Sequence, residues 1–191
     1  MMDRRDWITL LIGTTLAGVA LGILFAGCQP GGGHHHAGQA LSISFVPDGA
    51  PATGEIALAP GSEGEPLVVR VVAGGGFAKA YALAFRLTYD RTVMAYAGPV
   101  TAGDPLKAGG VEVLSAAAEN DHGQLVVGGS RANTFQGVTL AAGDEIASLV
   151  FRPVGKGSTR LDFSEERRRL ADERLEEITV NAWTGGTVTV K

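Results

Sequence analysis

Residues 80–89, AYALAFRLTY, alternate without a break. Tyr81, Leu83, Phe85, Leu87 and Tyr89 fall on one side of an extended chain, and Ala82, Ala84, Arg86 and Thr88 on the other. Helical winding would scatter both sets around a cylinder, whereas a strand gathers each on one face. A strand with one apolar face must cover it with a second layer, so the rest of the chain has to supply more of the same.

It does. LSISFV (41–46) sets Leu41, Ile43 and Phe45 against Ser42 and Ser44, and ends at the turn chemistry of Pro47-Asp48-Gly49. PLVVRVVA (66–73) is a second β-rich run, broken by Gly74, Gly75 and Gly76. Further runs occupy 93–98, 111–117, 124–130, 145–151, 159–163, 175–180 and 187–190. Short strands at turn-sized spacing predict an all-β sandwich. One stretch departs from the pattern. SEERRRLADER (164–174) reads either as a short helix, capped by Ser164 with Glu165 facing Arg169, or as a solvated connection.

The N-terminus has a different logic. Arg4 and Arg5 precede an uncharged apolar run from Ile8 to Phe25, and the small residues Ala26 and Gly27 stand directly before Cys28. Positive region, apolar region and small residues mark an export signal over residues 1–27. The junction resembles the lipobox of bacterial lipoproteins, with Phe25 where leucine is commonest. The resemblance implies lipidation of Cys28. An uncleaved membrane anchor is the other reading, since about 18 apolar residues approach the span of a bilayer. Either way the expected location is extracytoplasmic and membrane-held. Gln29 after the cysteine favours sorting to an outer membrane or cell surface, as the lipoprotein resemblance implies. Cys28 is the only cysteine, so no internal disulfide is available, and lipidation removes an otherwise free thiol. Residues 28–40, Gly- and His-rich, read as a tether. His34, His35 and His36 offer divalent-metal chemistry in principle, but adjacent histidines in a spacer bring no further ligand, and no metal site is assigned.

Residues 41–191 then form the folded domain. Removing 1–27 leaves 164 residues at an unchanged net charge of −4, because Asp3 and Asp6 leave with Arg4 and Arg5. That is enough chain for one sizeable core. An acidic balance argues against nucleic acid as a partner. Beyond the tether the single histidine is His122, beside Asp121 in AENDHG, which is turn chemistry rather than an acid–base pair. No nucleophile elbow, zincin helix, phosphate loop or zinc-type cysteine spacing occurs. AGGGFAKA leads into a strand, not a helix N-terminus, and so lacks the dipole that binds phosphate. No catalytic residue, cofactor or metal is expected, and the chain does not read as an enzyme.

Ordered segments carry a family resemblance. FRLTYDRTVMAYAG (85–98) resembles the part of cohesin domains where a strand ends in Tyr-Asp before a turn and an apolar strand. DHGQLVVGGSRANTFQGVTLAAGDEIASLVFRPVGKGSTRLDF (121–163) is similar in order to the cohesin second half, and GGTVTV (185–190) to its end. The resemblance spans about 41–190. It implies a jelly-roll sandwich of about nine strands and a module that binds another protein, dockerin-like or otherwise, on a sheet face. The outward side of 80–89 offers Ala82, Ala84 and Arg86, and that of 124–130 Val126, Gly128 and Ser130. So smooth and apolar a surface calls for cover, by a partner or by the chain's own segments. The cohesin pattern puts polar contact residues where Ala82 and Ala84 stand, which sets this face apart from a conventional dockerin contact. Two other readings remain: a carbohydrate-binding module, needing a strip of exposed aromatics, and a structural subunit pairing through an edge strand. Tyr96 and Trp183 are the residues for an isolated sugar contact, or else core and rim packing.

Overall fold

The computed structural model describes residues 41–120 and 123–191; Cys28, the His34–His36 tract, Asp121 and His122 lie outside them. In chain order the strands are β1 (Ile43–Pro47), β2 (Glu55–Ser62), β3 (Leu67–Ala80), β4 (Ala82–Thr88), β5 (Met94–Tyr96), β6 (Thr101–Ala102) and β7 (Val113–Glu119). They continue with β8 (Gln124–Arg131), β9 (Val138–Pro153), β10 (Gly157–Phe163), β11 (Arg169–Ala171), β12 (Glu177–Ile178), β13 (Ala182–Thr184) and β14 (Gly186–Val190). A 3-10 turn covers Asp104–Lys107. The expected nine or so strands become fourteen segments because long edges are broken into pieces of two or three residues.

Two sheets form a sandwich. In the first, β4 is central. It pairs with β8 along its whole length on one side, and with β11 and β10 in succession on the other; β7 lies outside β8, while β14 and β1 extend the sheet beyond β10. The second runs β13-β2-β3-β9-β5, with β6 also on β9. All pairings are antiparallel except β13 on β2, which is parallel. Leu83, Phe85 and Leu87 of β4 meet Leu125 and Val127 of β8, and face Val69, Val71, Leu149 and Phe151 of the other sheet in one core. Phe85, Phe163 and Trp183 form an aromatic knot, with centroids 5.3 Å apart for Phe85–Phe163 and 5.0 Å for Phe163–Trp183. Trp183 and Tyr96, which packs edge-on to Phe151, are therefore core and rim residues.

The Tyr89-Asp90 pair ends β4 for a physical reason. Asp90 Oδ1 accepts from the Thr92 backbone N–H at 2.8 Å and from its hydroxyl at 2.6 Å, an Asx turn that redirects the chain into β5. Tyr89 turns inward, stacks edge-on against Phe151, and donates its hydroxyl to Glu119 at the end of β7. Arg91 pairs with the same carboxylate at 2.7 Å. Burial first, then the bond to Glu119 and that group's charge, push the Tyr89 phenol far above its ordinary value. Burial also raises Tyr96.

Three sequence expectations need correction, and one strand went unread. The Gly74–Gly76 run does not end a strand: β3 continues through it to Ala80, bending where Gly75 and Gly76 take φ of 88° and 81°. Gly74 is demanded by contact, since a methyl there would stand 1.8 Å from the Ala52 carbonyl oxygen. EIALAPGS forms β2, hidden from sequence reading by a Pro60-Gly61 pair that marks a register shift rather than a turn. Residues 164–174 form no helix. Leu170 is drawn into the core and Arg169–Ala171 pairs with β4, so burial overrides the helical charge spacing. The 175–180 run keeps only Glu177–Ile178 as strand.

Two outcomes follow from this packing. Gly74→Ala should lower the unfolding free energy by about 2–3 kcal/mol through overpacking, read as a drop in the urea midpoint at constant m-value. The folded-state elevation of Tyr89 means that the unfolded chain releases this proton first. Stability should therefore be constant below about pH 10, the free phenol value, and fall as pH rises above it. Tyr89→Phe should flatten that alkaline slope in pH-dependent denaturation.

Candidate functional site

The six residues singled out from the sequence come together as three cross-strand pairs: Ala82 opposite Ser130, Ala84 opposite Gly128, and Arg86 opposite Val126. Directly opposed residues share a face, and the inward neighbours Leu83, Phe85, Leu125 and Val127 are buried. Alternation thus puts all six outward. Ala84 and Val126 are exposed, and the other four are half-buried.

Sequence reading missed how far this face extends. On β7, Leu114, Ala116 and Ala118 lie opposite Ser130, Gly128 and Val126, and all three are exposed. On β11, Arg169 and Ala171 lie opposite Ala84 and Ala82. The 111–117 run carried no alternation strong enough to give Leu114 a face, and β11 lay in the stretch read as helix or connection. Leu114 is 59% exposed, Leu175 59% and Phe135 90%, and so are three of the larger apolar groups offered to solvent.

Two depressions mark this face. One, of about 410 Å³, is a shallow dish over Leu114, Ala116, Gly128 and Ser130. A side chain added at Gly128 would meet no atom within 4 Å, so the dish exists because β8 carries glycine there. The other, of about 180 Å³, is walled by Ala82, Leu83, Ala84, Arg169, Ala171 and Leu175.

The turn after β11 builds the rim of the second depression. Asp172 Oδ1 accepts from the backbone N–H groups of Arg174 and Glu176, each at 2.9 Å, and the Arg169 guanidinium donates to the Leu175 carbonyl. Leu175 is held at φ 63°, left-handed backbone that costs a non-glycine residue about 1–2 kcal/mol. Such strain persists where surrounding bonds over-determine it, and it gathers at functional sites. At the far end of β8, the buried Arg131 donates to the carbonyls of Leu106 at 2.7 Å and Ala108 at 2.9 Å, fixing the 3-10 turn beside β7.

Charge is sparse here. The outward residues of β11, β4, β8 and β7 include Arg86 and Arg169 and no carboxylate. Arg86 donates to Gln124 Oε1 at 3.3 Å, and neither arginine has an acidic partner among the described residues. No group of three or more His, Cys, Asp or Glu side chains that would hold a metal occurs among the described residues. Phe135 is the only exposed aromatic among them, so the stacking strip that a sugar surface needs is missing from the described fold.

Relief of the strain gives a clean test of the rim. Leu175→Gly should leave stability unchanged or raise it by up to about 1 kcal/mol, whereas Leu83→Ala, in the wall of the same depression but buried against the core, should cost about 2–5 kcal/mol. Thermal unfolding of the two variants distinguishes a strained surface turn from a packed one.

The sequence matches no family model and no curated protein. Solved structures share its fold. The sixth cohesin of scaffoldin B from Acetivibrio cellulolyticus superposes with a TM-score of 0.51 at 20% identity, covering 69% of this chain and 95% of that one. A cohesin from Clostridium acetobutylicum gives 0.52 at 15% identity over 71% and 90%. A type I cohesin from Clostridium thermocellum gives 0.51 at 14% identity over 73% and 94%. The described residues therefore have the cohesin fold, a jelly-roll sandwich of two antiparallel-dominated sheets.

Proposed function

We propose that this chain is an extracytoplasmic docking module that holds another protein, non-covalently, on the outward face of β11, β4, β8 and β7. The observation that carries the reading is that face itself. Four adjacent strands present Ala82, Ala84, Ala116, Ala118, Val126, Gly128 and Leu114 to water, with no carboxylate among them. A water-facing sheet normally alternates apolar-in with polar-out. Here the outward side is smooth and apolar at its centre with polar groups at the margin, the anatomy of a protein interface.

Two structural neighbours, the Acetivibrio cellulolyticus and Clostridium thermocellum cohesins, were solved in complexes with dockerins, which supports a protein as the ligand class. A dockerin-like partner is the first candidate. The alanines at 82 and 84, in place of the polar contacts that the cohesin resemblance implies, point to a drier interface than a conventional dockerin contact. In this reading Cys28 carries the lipid, residues 28–40 give reach from the membrane, and the partner is kept at the surface of an outer membrane or cell. The acyl chains would hold the module by about 0.8 kcal/mol per buried methylene.

Gly128→Arg tests the docking reading with little risk to the fold, because the new side chain enters open space. The native chain, solubilised in detergent from the cells that make it, should co-purify with a partner. In the Gly128→Arg variant, at unchanged melting temperature, affinity should fall at least tenfold, about 1.4 kcal/mol. Retention of the native chain on polysaccharide beads with no protein captured would overturn docking in favour of sugar binding.

A further inference from the structure

The depression beside Leu175 has the shape and charge of a socket for one residue. It rests on the docking reading above and specifies what the partner must bring. Its walls are truncated: Ala82, Ala84 and Ala171 stand where larger strand residues would close the gap. About 180 Å³ is left open, and apolar cavities of about 150 Å³ hold a benzene-sized guest. One leucine- or isoleucine-sized side chain fits this space.

Leu175 is not positioned to fill the space itself. It stands 59% exposed at the rim, fixed in left-handed backbone by the Asp172 turn and by the bond from Arg169 to its carbonyl. An apolar rim kept out of its own depression at a conformational cost is what a preformed socket requires.

The electrostatics select the neighbour of that guest. Arg169 lines the socket, and Arg86 lies on the same face of β4, two residues beyond Ala84. Both lack an acidic partner among the described residues, in a chain whose net charge is −4. Glu177 stands across from Ala171 on β12 but forms no ion pair with either arginine, and guanidinium groups without a paired counter-charge are complementary to carboxylates.

We infer that the partner anchors itself by inserting one aliphatic side chain between Ala82, Ala84, Ala171 and Leu175, with a carboxylate close to it in sequence pairing with Arg169. The occupant is thus a protein segment combining Leu, Ile, Val or Met with Asp or Glu within a few residues.

A random dodecapeptide library displayed on phage, panned against the immobilised full-length chain in detergent micelles, tests this without knowledge of the natural partner. Enriched clones should share an aliphatic residue flanked by an acidic one. Their affinity should drop tenfold or more with Ala84→Trp, which fills the socket from an exposed position, and severalfold with Arg169→Glu. Each variant is to be used only at the native melting temperature; Ala84→Phe and Arg169→Gln serve as milder second versions. Clones that lose binding with Gly128→Arg but bind Ala84→Trp normally would overturn the socket while leaving the docking face in place. Clones indifferent to all three substitutions, or no enrichment at all, would overturn both. Enrichment of basic or aromatic motifs would contradict the assigned guest.

Discussion

Everything in this molecule hangs on β4. It is bonded on both sides, to β8 throughout and to β11 and β10 in turn, so neither edge is free and its register cannot slip. A slip of one residue would put Leu83, Phe85 and Leu87 in water and Ala82, Ala84 and Arg86 in the core. The apolar set meets Val69, Val71, Leu149 and Phe151 across the sandwich, and that burial fixes which residues face out. The outward face is therefore a consequence of the core. Its composition is free to vary only because the core has already settled its geometry.

This coupling explains what could be read in advance. Strict alternation identified β4, and the run at 124–130 identified β8, so their three cross-strand pairs followed once the strands were neighbours. Features without a local signal stayed hidden. β2 was masked by Pro60-Gly61, which the structure accommodates as a register shift between Pro60 and Ser62. β11 needed Leu170 to be recognised as a core residue inside a highly charged stretch, and only the vacancy beside β4 makes it one. The glycines at 74–76 read as a break because a chain cannot announce that the Ala52 carbonyl will pass within van der Waals contact of its backbone. Leu114 and Leu175, which enlarge the site most, sit in segments whose face is assigned by tertiary pairing alone.

The face can change its surface chemistry without disturbing the fold. The sandwich is built from inward residues, and the outward ones on β4 and β8 contribute little to it. Replacing polar contacts by Ala82 and Ala84 leaves the core untouched. Removing side-chain bulk trades hydrogen-bonding specificity for shape, in a dish over Gly128 and a socket beside Leu175. In the proposed reading, specificity rests on the fit of one side chain and on the charge of Arg86 and Arg169. The opposite sheet has a depression of about 360 Å³ over Pro51, Ala59, Pro60, Arg70 and Val72, but Val72 and Ala57 of its outer surface are already buried and Arg70 donates to the Pro60 carbonyl at 3.0 Å.

The central claim is that a partner sits on this sheet face in the living cell. A photoreactive benzoylphenylalanine placed at position 126, in the middle of the exposed face, tests it most directly, with the same residue at position 152 on the outer surface of β9 as its counterpart. Irradiation of intact cells should yield one discrete higher-mass adduct from position 126 and none from position 152. Adducts from position 152 alone, or from neither, would contradict the account.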